Sequence, residues 1–187
     1  MIIVTIYILY NRYIEEKYKD ETKNMSKEDI KLVTEVTSLA KEKIKLEYVW
    51  GGKGEVMTNE RFNELVNEYG IKYYPLSKES YIGKQAFDCS GLTYWTYKKV
   101  TGISIGYSTI QQKEILKEYK VEKSELQPGD LIYSPGHVVM YIGKGKIIQS
   151  SNNMAYPIGG VKQSPLFMYS NGEIYRPIEY INYIKGK

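Results

Sequence analysis

The chain has 187 residues, of which 42% are hydrophobic and 26% are charged, so disorder throughout is excluded. This length fits one domain of ordinary size plus an appendage. The net charge of +4 is a mild bias towards polyanions, but no basic stripe is present, so we expect no nucleic-acid partner. A single cysteine excludes a disulfide-built scaffold, although it does not exclude secretion.

The first ten residues are almost wholly apolar, yet a helix that spans a bilayer needs about 20 such residues. No basic region precedes them and no small-residue cleavage site follows, so a complete signal peptide is not evident. Three interpretations are open: a truncated export signal or anchor, a strand or helix packed on the domain, or a membrane-surface anchor. The β-branched residues make a strand credible. Residues 11–24 are rich in charge and predict a solvated helical stalk. We therefore divide the chain into an N-terminal segment, 1–25, and a domain, 26–187.

Periodic apolar residues predict helices in the first part of the domain, each opened by a capping residue. These helices cover about 26–45, 59–69, 89–100 and 108–119. Residues 121–126 are interpreted as a connector. The pattern then changes to short β-branched segments bounded by glycine or proline, which predict an antiparallel meander. Its strands are placed at 131–133, 137–142 and 146–150, with later strands at 160–163 and 174–177. Helices followed by a sheet indicate an α+β domain.

The only cysteine, Cys89, stands where the third of these helices begins, with Asp88 as a plausible N-cap. A thiol in the first turn of a helix lies near unpaired N–H groups and the positive end of the dipole, so its pKa should fall. That is what a nucleophile needs. The only histidine, His137, is the candidate acid/base that would hold the thiolate and protonate a leaving amine.

Four motifs carry a resemblance to a known family. Asp-Cys-Ser-Gly-Leu at 88–92 is followed by Leu-Gln-Pro-Gly-Asp-Leu at 126–131 and by Gly-His-Val-Val-Met-Tyr-Ile-Gly at 136–143. Together with Tyr-Val-Trp-Gly-Gly at 48–52, this order resembles the NlpC-type cell-wall cysteine peptidases, which are papain-like. The resemblance implies an NlpC-type fold with N-terminal helices packed on a central antiparallel sheet. It also implies a secreted or envelope-located bacterial endopeptidase, expected to be monomeric. Its substrate would be the peptidoglycan stem peptide, cut between γ-D-glutamate and a diamino acid.

The resemblance also implies roles for further residues. The family's third catalytic member lies about twelve residues after the histidine, where this chain has Gln149; its carbonyl can accept the imidazole N–H and fix the tautomer. Tyr48 matches the tyrosine whose hydroxyl reaches the oxyanion. We expect Asp88 and Ser90 to cap the helix, to fix the geometry of the turn and to contact the substrate.

The proposed role of Gln149 requires a particular register between the strands that carry His137 and Gln149. A two-residue turn at Lys144-Gly145 would leave Gln149 on the face opposite His137. A three-residue loop over 143–145, with Gly145 left-handed, pairs Val139 with Gln149 and puts both side chains on one face. We therefore predict the three-residue loop or an equivalent bulge.

Residues 53–86 make the link before the cysteine longer than is common in the family. This insertion either walls the cleft and narrows substrate choice or packs on the flank of the domain. We expect no cofactor and no metal, because the sequence contains neither a zinc-ligand cluster nor a nucleotide-binding loop. Two other functions are open: a related papain-like amidase or acyltransferase, such as a wall-targeting toxin or lysin, and a catalytically silent wall-binding module.

Overall fold

The computed structural model describes residues 2–152, 154–169 and 171–186. The α-helices of these residues are α1 (Ile2–Lys17), α2 (Lys27–Lys41), α3 (Asn59–Tyr69), α4 (Cys89–Thr101), α5 (Thr109–Ile115) and α6 (Pro177–Lys185). The strands are β1 (Lys53–Val56), β2 (Gln85–Phe87), β3 (Lys120–Val121), β4 (Leu131–Ser134), β5 (His137–Tyr141), β6 (Lys146–Ser151), β7 (Gly160–Pro165) and β8 (Glu173–Tyr175). Short 3₁₀ helices include one at Leu166–Tyr169.

A six-stranded sheet in the order β3-β8-β4-β5-β6-β7 forms the centre of the domain, and its neighbouring strands are antiparallel. Strands β4 to β7 form the predicted meander. The sequence interpretation was wrong about β3, because Val121, the first residue of the predicted connector, lies in this strand. A strand of two residues is too short to show an alternating pattern of apolar side chains. It was also wrong about the end of the last strand. Arg176 caps α6 and Pro177 begins it, since proline cannot donate to a sheet ladder but fits a first helical turn.

The main core lies between α2, α4 and one face of the sheet. Alternation along β5 sends Val138 and Met140 into this core and Val139 and Tyr141 to a smaller cluster on the other face. Helices packed on an antiparallel sheet are the α+β arrangement that the sequence predicts. The packing fixes the N-terminal end of α4 against β5.

The N-terminal segment is helical, so the interpretation of its β-branched residues as a strand is wrong. A helix satisfies its own backbone hydrogen bonds, whereas a strand at this place would need a neighbour. The helix also begins before the predicted stalk and ends earlier, at Lys17. In the described part of the chain, no helix is long and apolar enough to cross a membrane. The next helix, α2, ends at Lys41 rather than near Lys45, whose N–H instead donates to the Val161 carbonyl at 3.0 Å.

Two glycines let the segment that precedes the insertion approach the start of α4. A Cβ atom at Gly91 would lie 2.0 Å from the Gly52 carbonyl oxygen, and one at Gly52 would lie 2.6 Å from the Ala86 carbonyl carbon. Only glycine permits such contacts. The same carbonyl of Gly52 accepts the Asp88 N–H at 3.0 Å. The Gly-Gly motif is therefore a backbone docking surface for the helix that carries the cysteine.

The insertion folds as a unit with a core of its own. Strands β1 and β2 close its base, and α3 packs over it with Thr58 as the N-cap. The buried side chains of this insertion core are Val49, Met57, Phe62, Leu65, Tyr74, Tyr81 and Ala86. The Trp50 ring stacks on Tyr73 at 4.9 Å between ring centroids, and the Tyr74 hydroxyl donates to the Trp50 carbonyl at 3.0 Å. The insertion therefore packs on residues 48–52.

Candidate active site

Cys89 is the first residue of α4 and is 8% exposed. Asp88 caps the helix as predicted, because its side chain accepts the Gly91 N–H at 2.6 Å. The backbone N–H of Val138 lies close enough to the Cys89 sulfur to favour its thiolate form. Since Val138 directly follows His137, the beginning of β5 lies against the thiol. The fold thus brings the only cysteine and the only histidine of the chain to one place.

His137 lies 2.8 Å from Gln149, measured from imidazole Nε2 to side-chain Oε1. The predicted register is confirmed: Met140 pairs with Ile148 and Tyr141 with Ile147. Gly145 has a φ of +69° in the loop that sets this register. With Nε2–H donating to the glutamine oxygen, the other ring nitrogen, Nδ1, carries no proton and is free to accept one.

Electrostatics of the thiol differ from the sequence expectation. Burial raises the pKa of Cys89, and the Asp88 carboxylate raises it further. The N–H groups of Val138 and Ser90 and the Lys53 ammonium act in the opposite direction but do not outweigh these effects. The expectation of a lowered pKa is therefore wrong, because it considered the helix end without the burial imposed by β5.

Burial also lowers the pKa of His137, against the opposing effect of the hydrogen bond that its Nε2–H donates to Gln149. The resting thiol and imidazole are therefore both neutral near neutral pH.

A pH series of alkylation checks this state. We expect the rate of Cys89 modification by iodoacetamide to rise about tenfold per pH unit up to the ordinary thiol pKa of 9.0 and beyond, because the thiolate fraction grows in that proportion. Because the chain has one cysteine, the label reports a single thiol. A rate plateau below about pH 7, lost in His137→Ala, would instead reveal a preformed thiolate–imidazolium pair.

Gln149 is 2% exposed and is held at both ends of its amide. The Tyr169 hydroxyl donates to Oε1 at 2.6 Å, and Nε2 donates to the Ser164 hydroxyl oxygen at 2.9 Å. The Tyr169 ring lies 5.7 Å from the His137 ring between centroids. Neither Tyr169 nor Ser164 belongs to a motif or a periodic segment, so the sequence offered no signal for them.

Tyr48 reaches the same site from the segment before the insertion. The backbone of Tyr48 forms an isolated parallel β-bridge with Phe87, and the residue is 7% exposed. Burial raises its pKa strongly, and the proximity of the ionisable groups of Cys89 and Asp88 acts in the same direction. The Tyr48 hydroxyl therefore remains protonated beside the thiol and can donate a hydrogen bond.

The carboxylate of Asp88 is fully occupied by internal donors. Its Oδ1 accepts from the Gly91 N–H and lies 3.0 Å from the Ser90 hydroxyl. Its Oδ2 accepts from the Gly51 N–H at 3.2 Å and from the Lys53 ammonium at 2.5 Å. Lys53 also lies 3.0 Å from Ser90 Oγ. The sequence interpretation missed Lys53, and a cationic group of a substrate would have to displace it to reach Asp88.

A cleft of about 550 Å³ opens beside the turn that leads into His137. Its walls come from α5, the β4–β5 turn and the 3₁₀ helix that ends at Tyr169, and include Ile110, Pro135, Gly136, Phe167, Met168 and Tyr169. Residues 53–86 do not line it. The cleft therefore adjoins the turn before His137 and shares Tyr169 with the surroundings of Gln149, but Cys89 and His137 do not line it.

Fold and site together define a class of protein. Residues 45–164 match the model of the NlpC/P60 family, so the chain belongs to this family. The resemblance seen in the four motifs is thereby confirmed, as is the α+β fold of NlpC-type proteins.

Among its relatives, the chain is 32% identical over 105 residues to "Murein DD-endopeptidase MepH" of Escherichia coli (strain K12), covering 52% of this chain and 38% of that protein. It is 29% identical over 102 residues to "Bifunctional muramidase/DL-endopeptidase CwlT" of Bacillus subtilis (strain 168), covering 49% of this chain and 30% of that protein. The chain thus spans less than half the length of these relatives.

Solved structures of the family are similar over most of the chain. The NlpC/p60 domain of the peptidoglycan hydrolase SagA is 25% identical, with a TM-score of 0.52 and coverage of 76% of this chain and 97% of that one. The peptidoglycan hydrolase RipB of Mycobacterium tuberculosis shares the fold with a TM-score of 0.56 at 24% identity, over 84% of this chain and 70% of that one.

Proposed function

We propose that this protein is a cysteine endopeptidase that hydrolyses peptidoglycan stem peptides at the bond between γ-D-glutamate and a diamino acid. The observation that carries the proposal is the arrangement of Cys89 against the start of β5, where His137 is hydrogen-bonded to Gln149 at 2.8 Å. Membership of the NlpC/P60 family and the endopeptidase names of the relatives support it.

In the proposed acylation step, the Cys89 sulfur attacks the carbonyl carbon of the scissile amide while His137 Nδ1 takes the thiol proton. Gln149 accepts from Nε2–H throughout and so stabilises the imidazolium that forms. The imidazolium then gives the proton to the amide nitrogen, the carbon–nitrogen bond breaks, and the new amine leaves. A thioester of Cys89 with the glutamate side remains.

Deacylation repeats these roles with water. His137 removes a proton from the attacking water, the thioester carbon–sulfur bond breaks as the carboxylic acid product forms, and the imidazolium returns its proton to the Cys89 sulfur. In both steps, negative charge develops on the carbonyl oxygen. We assign its stabilisation to the Tyr48 hydroxyl and to the N–H of Cys89 at the start of α4, where helix N–H groups lack intrahelical partners.

We further propose that Asp88 and Ser90 shape the acyl-donor side of the site, with Lys53 bound between them. The cleft next to Gly136 would then receive an extended part of the stem peptide. All of these groups come from one chain, so the proposed enzyme acts as a monomer.

Digestion of purified peptidoglycan tests this proposal. Mass spectrometry of the soluble products should identify new amino termini on the diamino acid and muropeptides that end at γ-D-glutamate. Cys89→Ala protein is the control. A product with a new D-alanine carboxyl terminus would indicate a DD cut, as in the name of the E. coli relative, and would contradict the assigned bond.

Other products would point to the alternative functions. Free stem peptides separated from the sugar would indicate an amidase. Binding to insoluble wall without any released product would indicate a silent module. The position of Cys89 against the start of β5, with His137 hydrogen-bonded to Gln149, favours catalysis over the silent module.

We also propose that α1 tethers the protein to a membrane surface in the cell envelope. Val4 and the consecutive residues 6–10 are 48–66% exposed, so apolar side chains face outward on every side of the helix. A groove on a protein would cover only one face of this helix, whereas the acyl chains of lipids can contact all of its faces. Nine residues extend about 14 Å, roughly half the hydrocarbon thickness of a bilayer. The chain after α1 is fixed to the domain, because Glu21 accepts the Lys144 N–H at 3.0 Å.

Sedimentation with vesicles of phosphatidylcholine and phosphatidylglycerol measures this tether. We expect the protein to bind, and Ile6→Glu or Leu9→Glu to bind at least about tenfold more weakly, since each buried Leu or Ile contributes about 1.5–3 kcal/mol. Ile71→Glu, an equally exposed apolar site in the insertion, is the matched control and should bind normally. Equal binding by all three variants and the unmodified chain would refute the tether.

A further inference from the structure

We propose that Tyr169 and Ser164 are positioning residues that clamp the Gln149 amide and thereby fix which nitrogen of His137 carries the proton. This inference rests on the proposed function, because the tautomer matters only if His137 takes the proton of Cys89. The clamp lies outside the four family motifs, on β7 and on the 3₁₀ helix that follows it.

The contacts form a branched set of hydrogen bonds centred on the Gln149 amide. Gln149 Oε1 lies 2.8 Å from His137 Nε2 and 2.6 Å from the Tyr169 hydroxyl, while its Nε2 lies 2.9 Å from Ser164 Oγ. Each polar atom of the amide therefore has a partner on a different element. Without those partners, rotation about the last side-chain bond of glutamine would be nearly unrestricted.

The orientation of the amide decides the chemistry of the imidazole. With the oxygen towards His137, the amide accepts from Nε2–H and leaves Nδ1 as the base. With the NH₂ group towards His137, the amide would donate to Nε2, and the proton would move to Nδ1, where it blocks transfer from the thiol.

Tyr169 favours the productive orientation because a phenol donates hydrogen bonds more readily than it accepts them. Burial raises the pKa of Tyr169, so its hydroxyl keeps its proton at working pH. The aromatic ring also lies beside the imidazole, at 5.7 Å between centroids, and shields the glutamine bond from water. Tyr169→Phe keeps this ring and removes the hydroxyl alone.

Nitrogen NMR of ¹⁵N-histidine-labelled protein gives a direct test, because the chain contains one histidine. Above the imidazole pKa, the unmodified protein should show the pattern of a predominant Nε2–H tautomer. Tyr169→Phe and Ser164→Ala should show averaged shifts of two tautomers. This readout needs no substrate, so it separates a failure of the clamp from a failure of the proposed hydrolysis.

Kinetics supply the second test. We expect Tyr169→Phe to lower kcat about tenfold with little change in KM, since a modest misplacement of a catalytic group costs up to about 100-fold. In a Gln149→Ala background, the same change should have almost no further effect, because Tyr169 acts through the glutamine. Tyr97→Phe is the matched control: it removes a buried hydroxyl that donates to the Gly129 carbonyl at 2.6 Å, away from His137.

The clamp would be overturned if Tyr169→Phe and Ser164→Ala both kept the tautomer pattern of the unmodified protein. It would also be overturned if Tyr169→Phe reduced kcat equally with and without Gln149. Loss of activity in Tyr97→Phe at a temperature where that variant is folded would show that the kinetic effect is general rather than local.

Discussion

Cys89→Ala is expected to lower the rate of peptidoglycan hydrolysis by about 10⁴-fold or more, since removal of a nucleophile leaves only binding and oxyanion contacts. The sulfur is buried in the main core, but alanine removes only this one atom from the packing, so the variant should fold. Release of soluble muropeptides measures activity, and thermal unfolding measures the fold. Full activity in this variant would contradict the role of Cys89 as the nucleophile.

Two matched variants sharpen this experiment. Cys89→Ser keeps the shape of the side chain but offers an alcohol, which is a weaker nucleophile at the same pH, and should also be inactive. Gln149→Ala should be less severe, at about 100-fold, because it removes the orienting group but leaves the thiol and the imidazole.

Arg176→Met is expected to cause the largest loss of stability, about 3–5 kcal/mol at about pH 7, because it strands a buried carboxylate. Arg176 donates to both oxygens of Asp130, from Nε and Nη2 at 3.0 Å each, and the Asp130 side chain is 1% exposed. Asp130 begins the turn into β4, so the pair joins the sheet to the start of α6. Chemical denaturation of the two proteins gives the difference in the free energy of unfolding.

The pH dependence of that difference has a definite sign. Burial raises the pKa of Asp130 to about 6, against the opposing effect of Arg176. In the unmodified protein, a folded pKa above the unfolded value means that this group favours folding most at acid pH and loses that contribution as pH rises through about 6. Without Arg176, the folded pKa rises further. Protonation of Asp130 then removes the unpaired charge from the core of the variant. The difference in the free energy of unfolding between the two proteins should therefore shrink as pH falls from about 7 to about 5.

Two controls accompany this measurement. Lys120→Met removes one partner of an exposed ion pair with Glu173 and should change stability little at either pH. Adding Asp130→Asn to Arg176→Met removes the stranded charge and should recover part of the loss. A difference that is small, or that grows at acid pH, would contradict the account of a buried charge pair.

The sequence predicted local features well, because capping residues and loop length act over short distances. Asp88 fixes the start of α4, Thr58 fixes the start of α3, and the three residues after Ile142 fix the register that places Gln149 beside His137. Each of these depends on neighbours within a few residues, and each is therefore visible in a single chain.

Features that depend on distant contacts were not predictable. The raised pKa of Cys89 comes from burial under β5, and a sequence window around the cysteine contains no information about that burial. Lys53, Ser164 and Tyr169 reach the site from segments without a motif, so only their positions in the fold identify them. The sequence left both a strand and a helix open for the first ten residues, because β propensity is a weak guide where no neighbouring strand exists.

The separate core of the insertion has a further consequence for how such a protein can diverge. Phe62, Tyr74 and Tyr81 pack against one another. The unit meets the rest of the domain at its base, through Trp50, the backbone of β2 and the Lys53 side chain, which binds Asp88. Most changes on its outer surface are therefore insulated from the thiol and the imidazole. Substitutions can therefore accumulate on this outer surface during evolution without altering the positions of Cys89 and His137.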